Sequence, residues 1–315
     1  MALLRSYGWV RCTDKYDLDC AQQYENRRFR KARHVMHSVV AIKQVPDTSN
    51  VRINPETGTL IREGVPTIIN PYDIHAVEMA VRIKEQFGGT VTVISMGPPK
   101  AMESLVECIE QGADRAILIS DRRFGAADTL ATSYVLAHTI EAIQEAGPID
   151  LLLFGKQAID GDTGQVGPGV AARLQVPLIS NAVMIESFDP VARKAVIHRK
   201  IEQGVEVIET SLPALLTVEK EIAAVKRAPL PNLSNAARYK PELWTGDAPV
   251  PFSPELVGIK GSPTIVGKAF TPTPREAGAI LSVAEKGLSK TVADVLAMIV
   301  QANVVTFPNN NGGKQ

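Results

Sequence analysis

The sequence predicts an α/β protein in which a parallel sheet is covered by helices on both faces, giving three layers. Strand-like and helix-like segments alternate from residue 36 to residue 176, and this alternation is typical of parallel βαβ units. Each strand in that part is a nearly continuous apolar run, which indicates burial on both faces. After residue 176 the pattern changes, and three successive strand-like segments predict an antiparallel extension: 180–186, 194–201 and 205–211.

Local signals place the elements of the alternating part. Residues 70–86 are predicted to form a helix with apolar side chains on one face, and Gly88 ends it. Asp128 is the predicted cap of a helix that runs to about residue 146. Residues 51–63 are predicted to form a β-hairpin. The predicted buried strands are 38–43, 90–96, 116–120 and 151–155, and two further helices are predicted at 97–112 and before 174.

The chain is expected to divide into four parts. Residues 1–35 have neither an apolar central stretch nor a transit-peptide pattern, so we expect a disordered extension, and Met36 is a candidate start of the native chain. Residues 36–218 form the predicted α/β domain. Residues 219–274 are rich in proline and irregular, which favours an extended arm that docks on a partner and wraps it. Residues 275–315 are predicted to form terminal helices and a tail.

Charge and composition argue against several classes of protein. The 315 residues contain 34 Lys and Arg and 34 Asp and Glu, so the balanced charge gives no basis for binding nucleic acid. Three cysteines without a C-x-x-C pair and five scattered histidines indicate neither a disulfide framework nor a metal site. No apolar run reaches the roughly 18 residues that span a bilayer. We therefore expect a protein of the reducing cytoplasm that has no metal, membrane span or nucleic-acid partner.

The stretch 154–169 carries the clearest functional signal. It follows a buried strand, is rich in glycine and precedes an alanine-rich helix. Small residues allow a ligand to approach the backbone, and free N–H groups at a helix N-terminus suit a phosphate. The spacing matches neither G-x-G-x-x-G nor a phosphate loop, so a tight turn capped by Asp162 or Thr163 is the alternative. No spacing indicates a catalytic side chain, so the chemistry is expected to come from a cofactor.

Five short motifs, in this order and spacing, resemble the β subunits of electron transfer flavoproteins over about residues 37–270. The resemblance implies an adenine nucleotide α-hydrolase-like fold. It also implies a heterodimer with an α subunit that carries one FAD, while the β subunit binds an adenine nucleotide. The motifs are VAIKQVPD at 40–47, NPYD at 70–73, SMGP at 95–98, GKQAID at 155–160 and LPALLT at 212–217.

The resemblance and the predicted strand ends together imply a cofactor site at the carboxyl edge of the sheet, where parallel sheets bind ligands. Lys43 and Arg122 are candidates for tuning the charge of a flavin, and Ile222 occupies the position of a hydrophobic partner-docking anchor. The candidate cofactor-binding residues are Ala41, Lys43, Asn70, Pro71, Tyr72, Asp73, Met96, Gly97, Arg122, Phe124, Asp128, Thr129, Asp160, Gly161, Asp162, Thr163, Gly164, Gln165, Val166, Gly167 and Pro168.

Two branches of the family differ in what the β subunit binds. Simple electron carriers hold AMP, and their loop usually contains Asn-Gln-Thr-Gly-Gln, whereas residues 164–168 read Gly-Gln-Val-Gly-Pro. This loop and the stretch 120–133 resemble the bifurcating branch, in which a second FAD replaces AMP. That branch implies NADH as hydride donor. One electron would pass to ferredoxin or flavodoxin, and the other through the α-subunit FAD to an acyl-CoA dehydrogenase-like or quinone-reducing partner.

Two further classes compete with the flavoprotein interpretation. A nucleotide-binding regulatory module without a redox role would not need the long arm at 219–274. A nucleotide enzyme of the hydrolase-like type would need a phosphate loop after the first strand, and residues 43–47 do not form one.

Overall fold

A nine-stranded sheet is the centre of the computed structural model, which describes residues 35–47, 66–249, 251–265, 278 and 280–302. The predicted hairpin at 51–63 and all but the last residue of the predicted extension 1–35 lie outside the described residues. The strands are β1 (His37–Ala41), β2 (Gln44–Pro46), β3 (Thr67–Ile69), β4 (Thr90–Met96), β5 (Arg115–Ile119), β6 (Leu151–Gly155), β7 (Leu178–Asp189), β8 (Lys194–Ile201), β9 (Gly204–Ser211), β10 (Ala214–Val218) and β11 (Glu242–Trp244).

The strand order is β11-β5-β4-β1-β6-β10-β7-β8-β9. Neighbours from β11 to β7 pair in parallel, whereas β7, β8 and β9 pair antiparallel. The predicted parallel sheet and its antiparallel extension are therefore both confirmed. Strands β2 and β3 form a separate antiparallel pair.

Helices cover both faces of the parallel part. Val40 and Val39 are adjacent in β1 and fully buried, yet they belong to core clusters on opposite faces of the sheet. This explains the continuous apolar runs, because a strand between two layers of helices has no solvent face. One face packs against α1 and α2, and the other against α3 and α4. These helices are α1 (Asp73–Phe87), α2 (Met102–Gln111), α3 (Thr129–Glu145) and α4 (Val166–Leu174).

The segment after β10 is more regular than the sequence predicts. Residues 230–236 form a helix, α5 (Leu230–Ala236), and β11 adds a parallel edge strand beside β5. Arg115 holds this edge, since its guanidinium donates to both carboxylate oxygens of Glu242 at 2.6 and 2.8 Å. A three-residue strand is too short to show a periodicity of two, which is why the sequence predicted only irregular chain here.

The chain divides into two compact units, residues 1–268 and 269–315. In the second unit the described residues form a short helix, α6 (Val283–Lys286), and a longer one, α7 (Leu288–Gln301). They fall within the terminal helices predicted after residue 275. Across the described ranges, no helix combines the length and apolar character needed to cross a bilayer.

Candidate cofactor site

A cavity lies where the order of the sheet reverses. From β1 the chain adds β4 and β5 on one side and then β6 and β10 on the other, so β1 is the topological switch point. Open α/β sheets bind ligands at such points, outside the carboxyl ends of the strands. A cavity of about 630 Å³ opens here and is lined by Ala41 of β1, Met96 of β4 and Phe154 of β6. Its volume is typical of small-molecule and cofactor sites.

Asp73, the first residue of α1, joins three of the chain segments that surround the cavity. Its buried carboxylate accepts hydrogen bonds from the backbone N–H of Lys43 at 2.7 Å, from Asn70 Nδ2 at 2.9 Å and from the backbone N–H of Gly155 at 3.1 Å. Burial raises the pKa of Asp73 to about 7, although these hydrogen bonds act in the opposite direction. Asp73 therefore fixes the ends of β1 and β6 relative to α1.

Asn70 extends this connection into the glycine-rich loop. Its Nδ2 also donates to the carbonyl of Gln157 at 2.8 Å, and its Oδ1 accepts from the backbone N–H of Ile159 at 3.2 Å. Asn70 is 1% exposed. Its role is thus to hold the loop that follows β6, because both ends of its amide are bonded to the protein.

Two glycines permit the close packing on which the cavity depends. A Cβ atom on Gly155 would overlap the Asp73 carboxylate and would lie 2.7 Å from Tyr72 Cβ. A Cβ atom on Gly167 would lie 2.7 Å from Thr217 Cγ2. Because both separations are shorter than van der Waals contact, only glycine lets the chain pass at these points. Helix α4 consequently starts directly against the sheet.

The N-terminus of α4 forms one wall of the cavity. Gln165 precedes the helix but its side chain makes no capping hydrogen bond; its Oε1 instead accepts from Thr129 Oγ1 at 2.9 Å. Val166 and Gly167, the first helical residues, both line the cavity. The first N–H groups of a helix have no partner within it and lie at the positive end of its dipole, so this wall suits a phosphate.

The two lysines that line the cavity are both paired with carboxylates. Lys43 Nζ donates to the two carboxylate oxygens of Asp160 at 2.8 and 2.7 Å. Lys156 Nζ donates to Glu219 Oε1 at 2.8 Å, and this hydrogen bond raises the pKa of Lys156. The lysine charges are thus compensated by neighbouring carboxylates. The backbone donors of α4 remain the better candidates for binding an anion.

An apolar surface lies on the other side of the switch strand. Met96 is the last residue of β4, Phe124 lies in the turn after β5, and Leu136 of α3 joins them in lining the cavity. The Phe124 ring is buried and packs edge-on against Phe252, with ring centroids 5.2 Å apart. A planar ring system could be buried against such a surface. The cavity therefore combines a phosphate-binding end with an apolar end.

Most of the predicted site residues meet in this cavity. Arg122 does not, because it is exposed on the turn before Phe124, so the geometry gives no support to its predicted role beside a flavin. Predicted residues that do not line the cavity are Pro71, Tyr72, Gly97, Arg122 and Pro168. Predicted residues that line it are Ala41, Lys43, Asn70, Asp73, Met96, Phe124, Asp128, Thr129, Asp160, Gly161, Asp162, Thr163, Gly164, Gln165, Val166 and Gly167.

Some lining residues were not predicted from the sequence. Thr132 and Leu136 follow Thr129 on the same face of α3, so helical spacing from Thr129 could have identified them. Thr264 hydrogen-bonds Asp128 from 136 residues further along the chain, and no local pattern marks it. The other lining residues outside the prediction are Ile42, Ala126, Ala127, Phe154, Gly155, Lys156, Gln157 and Ala158.

The predicted docking anchor, Ile222, is not on the surface. Its side chain is 7% exposed and belongs to the core cluster that packs on α1. The geometry therefore gives no support to the predicted role of Ile222 as a docking anchor, because a side chain packed in the core is not accessible to a partner. Two side chains of α1 hold the segment that follows Ile222. His75 Nδ1 forms a hydrogen bond with the carbonyl of Ala223 at 2.6 Å, and Glu78 Oε2 accepts a hydrogen bond from the N–H of Lys226 at 3.2 Å.

We expect Ile222→Asp to destabilise the fold by about 3–5 kcal/mol, because it would bury an unpaired carboxylate in the core. Urea unfolding measures the change. Val225→Asp is the matched control, since Val225 lies in the same segment but is 38% exposed, and should cost less than about 1 kcal/mol. A stable Ile222→Asp variant would show that Ile222 is not a core residue.

Comparison with known proteins agrees with this geometry. Residues 57–245 match the model of the electron transfer flavoprotein domain family. Protein FixA of Azotobacter vinelandii is 47% identical over 82% of this chain and 92% of its own length. Subunit CarD of the caffeyl-CoA reductase–Etf complex of Acetobacterium woodii is 45% identical over 78% and 92%. The electron transfer flavoprotein subunit beta of Clostridium acetobutylicum is 40% identical over 86% and 100%. The chain therefore belongs to the electron transfer flavoprotein β-subunit family.

Proposed function

We propose that this chain is the β subunit of a heterodimeric, electron-bifurcating flavoprotein and that its cavity holds FAD. The observation that carries the proposal is the extent of the cavity across the switch strand. The uncapped N-terminus of α4 lies on one side, and the apolar surface of Met96, Phe124 and Leu136 lies on the other. A ligand with a diphosphate and a large planar ring system would extend across both, whereas AMP, which has a single phosphate and only the adenine ring, would occupy less of the cavity.

The residues of this chain would act by binding and orienting. The N–H groups of Val166 and Gly167 would hold the diphosphate, and the apolar side chains would exclude water from one face of the ring. Asn70 and Asp73 would hold the surrounding loops in position through the hydrogen bonds described above. Bound FAD would supply the redox chemistry, accepting a hydride from NADH and releasing its electrons to two acceptors.

The proposed partners follow from the family and from the named relatives. CarD is named as a subunit of a caffeyl-CoA reductase–Etf complex, which supports a reductase or acyl-CoA dehydrogenase-like partner for this chain. An α subunit with its own FAD would carry one electron to that partner or to a quinone-reducing one. Ferredoxin or flavodoxin would receive the other electron.

The cofactor content of the purified αβ complex tests the proposal. We expect acid release and chromatography to give two FAD and no AMP per heterodimer. One FAD and one AMP would overturn it and would make the chain the β subunit of a simple electron carrier. A complex without flavin would favour a regulatory nucleotide-binding role.

Anaerobic titration with NADH tests the electron donor separately. We expect the visible absorbance of the flavin to decrease on addition of NADH, because a reduced flavin loses that absorbance. If two FAD are present and NADH bleaches neither, the assignment of the donor is wrong although the assignment of the cofactor stands.

A further inference from the structure

Residues 251–265, here called the strap, fold back onto the α/β domain beside the cavity. Phe252 is buried, and its ring packs against Phe124 at 5.2 Å between centroids. The backbone N–H of Ser253 donates to the hydroxyl of Tyr134 on α3 at 3.1 Å. The beginning of the strap is therefore part of the core that supports the apolar wall.

Asp128 holds the other end of the strap. One of its carboxylate oxygens caps α3, accepting from the N–H groups of Leu130 and Ala131, both at 3.0 Å. The second oxygen accepts from Thr264, from the backbone N–H at 3.2 Å and from Oγ1 at 2.8 Å. Desolvation opposes ionisation, but these four hydrogen bonds outweigh it and keep the pKa of Asp128 below its ordinary value.

Ser262 and Gly258 fix the path of the strap between these ends. The backbone N–H of Asp128 donates to Ser262 Oγ at 2.8 Å, and that hydroxyl donates to the carbonyl of Gly258 at 2.6 Å. Gly258 has φ +55°, and a Cβ atom on it would overlap the carbonyl of Arg123. Because glycine is required at this point, the fold fixes the path of the strap and with it the position of Thr264 beside the cavity.

The hydrogen bond from Thr264 determines what this residue can offer a ligand. A hydroxyl carries one proton, and an ionised carboxylate can only accept, so the Oγ1 proton is committed to Asp128. Thr264 lines the cavity, and towards a ligand its Oγ1 has only lone pairs. A phosphate oxygen beside this acceptor and the Asp128 carboxylate would meet like charge, whereas a hydroxyl or an N–H would find a partner.

We infer that Thr264 is a specificity-determining residue of the cavity, which accepts a hydrogen bond from a hydroxyl or imide N–H of the bound nucleotide. The inference rests on the proposed function insofar as it takes the ligand to be a nucleotide. It also predicts the orientation of the bound ligand. The phosphates would lie at the N-terminus of α4, and a part of the ligand that donates hydrogen bonds would lie beside Asp128.

Binding to the αβ complex, after release of its bound nucleotide, tests the inference. We expect Thr264→Val to lower the affinity for FAD about 3- to 10-fold, the loss of one neutral hydrogen bond. Pyrophosphate has neither a ribose hydroxyl nor an imide N–H, so Thr264→Val should bind it with the same affinity as the natural chain. Thr264→Ser keeps the hydroxyl and should lie within about twofold of the natural chain.

Ser262→Ala is the control for loosening of the strap, since Ser262 holds Asp128 but does not line the cavity. It should retain FAD better than Thr264→Val does. The inference would be overturned if both variants lost affinity for FAD equally. It would also be overturned if Thr264→Val lost affinity for FAD and pyrophosphate equally, or lost no affinity for FAD. If the natural complex holds AMP, the proposed function fails, and the same series is measured with AMP, whose ribose hydroxyls are donors.

Discussion

Gly155→Ala is expected to destabilise the α/β domain and to disrupt the proposed nucleotide site. The added Cβ would overlap the Asp73 carboxylate and would lie 3.0 Å from the Asp73 backbone nitrogen and 2.7 Å from Tyr72 Cβ. These neighbours are the first turn of α1 and cannot move aside without breaking the hydrogen bonds that join β1 and β6. Overpacking and the lost bonds together should cost about 3–5 kcal/mol.

Gly161→Ala is the matched control for this substitution. Gly161 lies in the same loop and lines the same cavity, but a Cβ atom there would meet no heavy atom within 4 Å. We expect its free energy of unfolding to stay within about 0.5 kcal/mol of the natural chain. Urea unfolding and the FAD content of the complex measure both effects. A Gly155→Ala chain as stable as Gly161→Ala would refute the assigned packing at the end of β6.

The buried strands and the Gly-rich loop could be predicted because the evidence for each is local. Val39 and Val40 show burial on both faces within two residues, and residues 154–169 carry the strand, the glycines and the helix start together. Their place at the edge of a parallel sheet then follows from general rules of topology. The cavity was accordingly found where those strand ends meet.

Contacts between distant segments could not be predicted in the same way. Thr264 hydrogen-bonds Asp128 although the two residues are 136 positions apart in the sequence. Strand β11 is recognisable only by its pairing with β5. The same is true of Ile222. Its position in the sequence indicated a partner-docking anchor, whereas its burial against α1 depends on the tertiary fold. Side-chain roles that depend on packing are decided by neighbours that a single sequence does not reveal.

Asn70 and Asp73 were predicted as cofactor contacts, and both do line the cavity. Their polar atoms, however, bond chiefly to the protein: Asp73 to the ends of β1 and β6, Asn70 to the Gly-rich loop. A substitution there should therefore affect stability before it affects any direct contact with a ligand.

Asp73→Asn is expected to change how stability depends on pH. The folded state holds the proton of Asp73 more tightly than the unfolded chain, because burial raises its pKa from 3.8 to about 7. The stabilisation due to this group is thus complete below about pH 4 and is lost as the pH rises towards about 7. We expect the free energy of unfolding of the natural chain, relative to Asp73→Asn, to fall by about 2–4 kcal/mol over that range.

Urea unfolding of both chains between pH 4 and pH 8 measures this difference, and Asp73→Asn corrects for all other titrating groups. The opposite slope would mean that the N–H donors of Lys43, Asn70 and Gly155 outweigh burial and hold the pKa of Asp73 below 3.8. The two outcomes assign different charges to the cavity wall at neutral pH. A half-protonated Asp73 leaves the edge of the site less negative, which favours an anionic ligand at the N-terminus of α4, whereas a fully ionised one would oppose it.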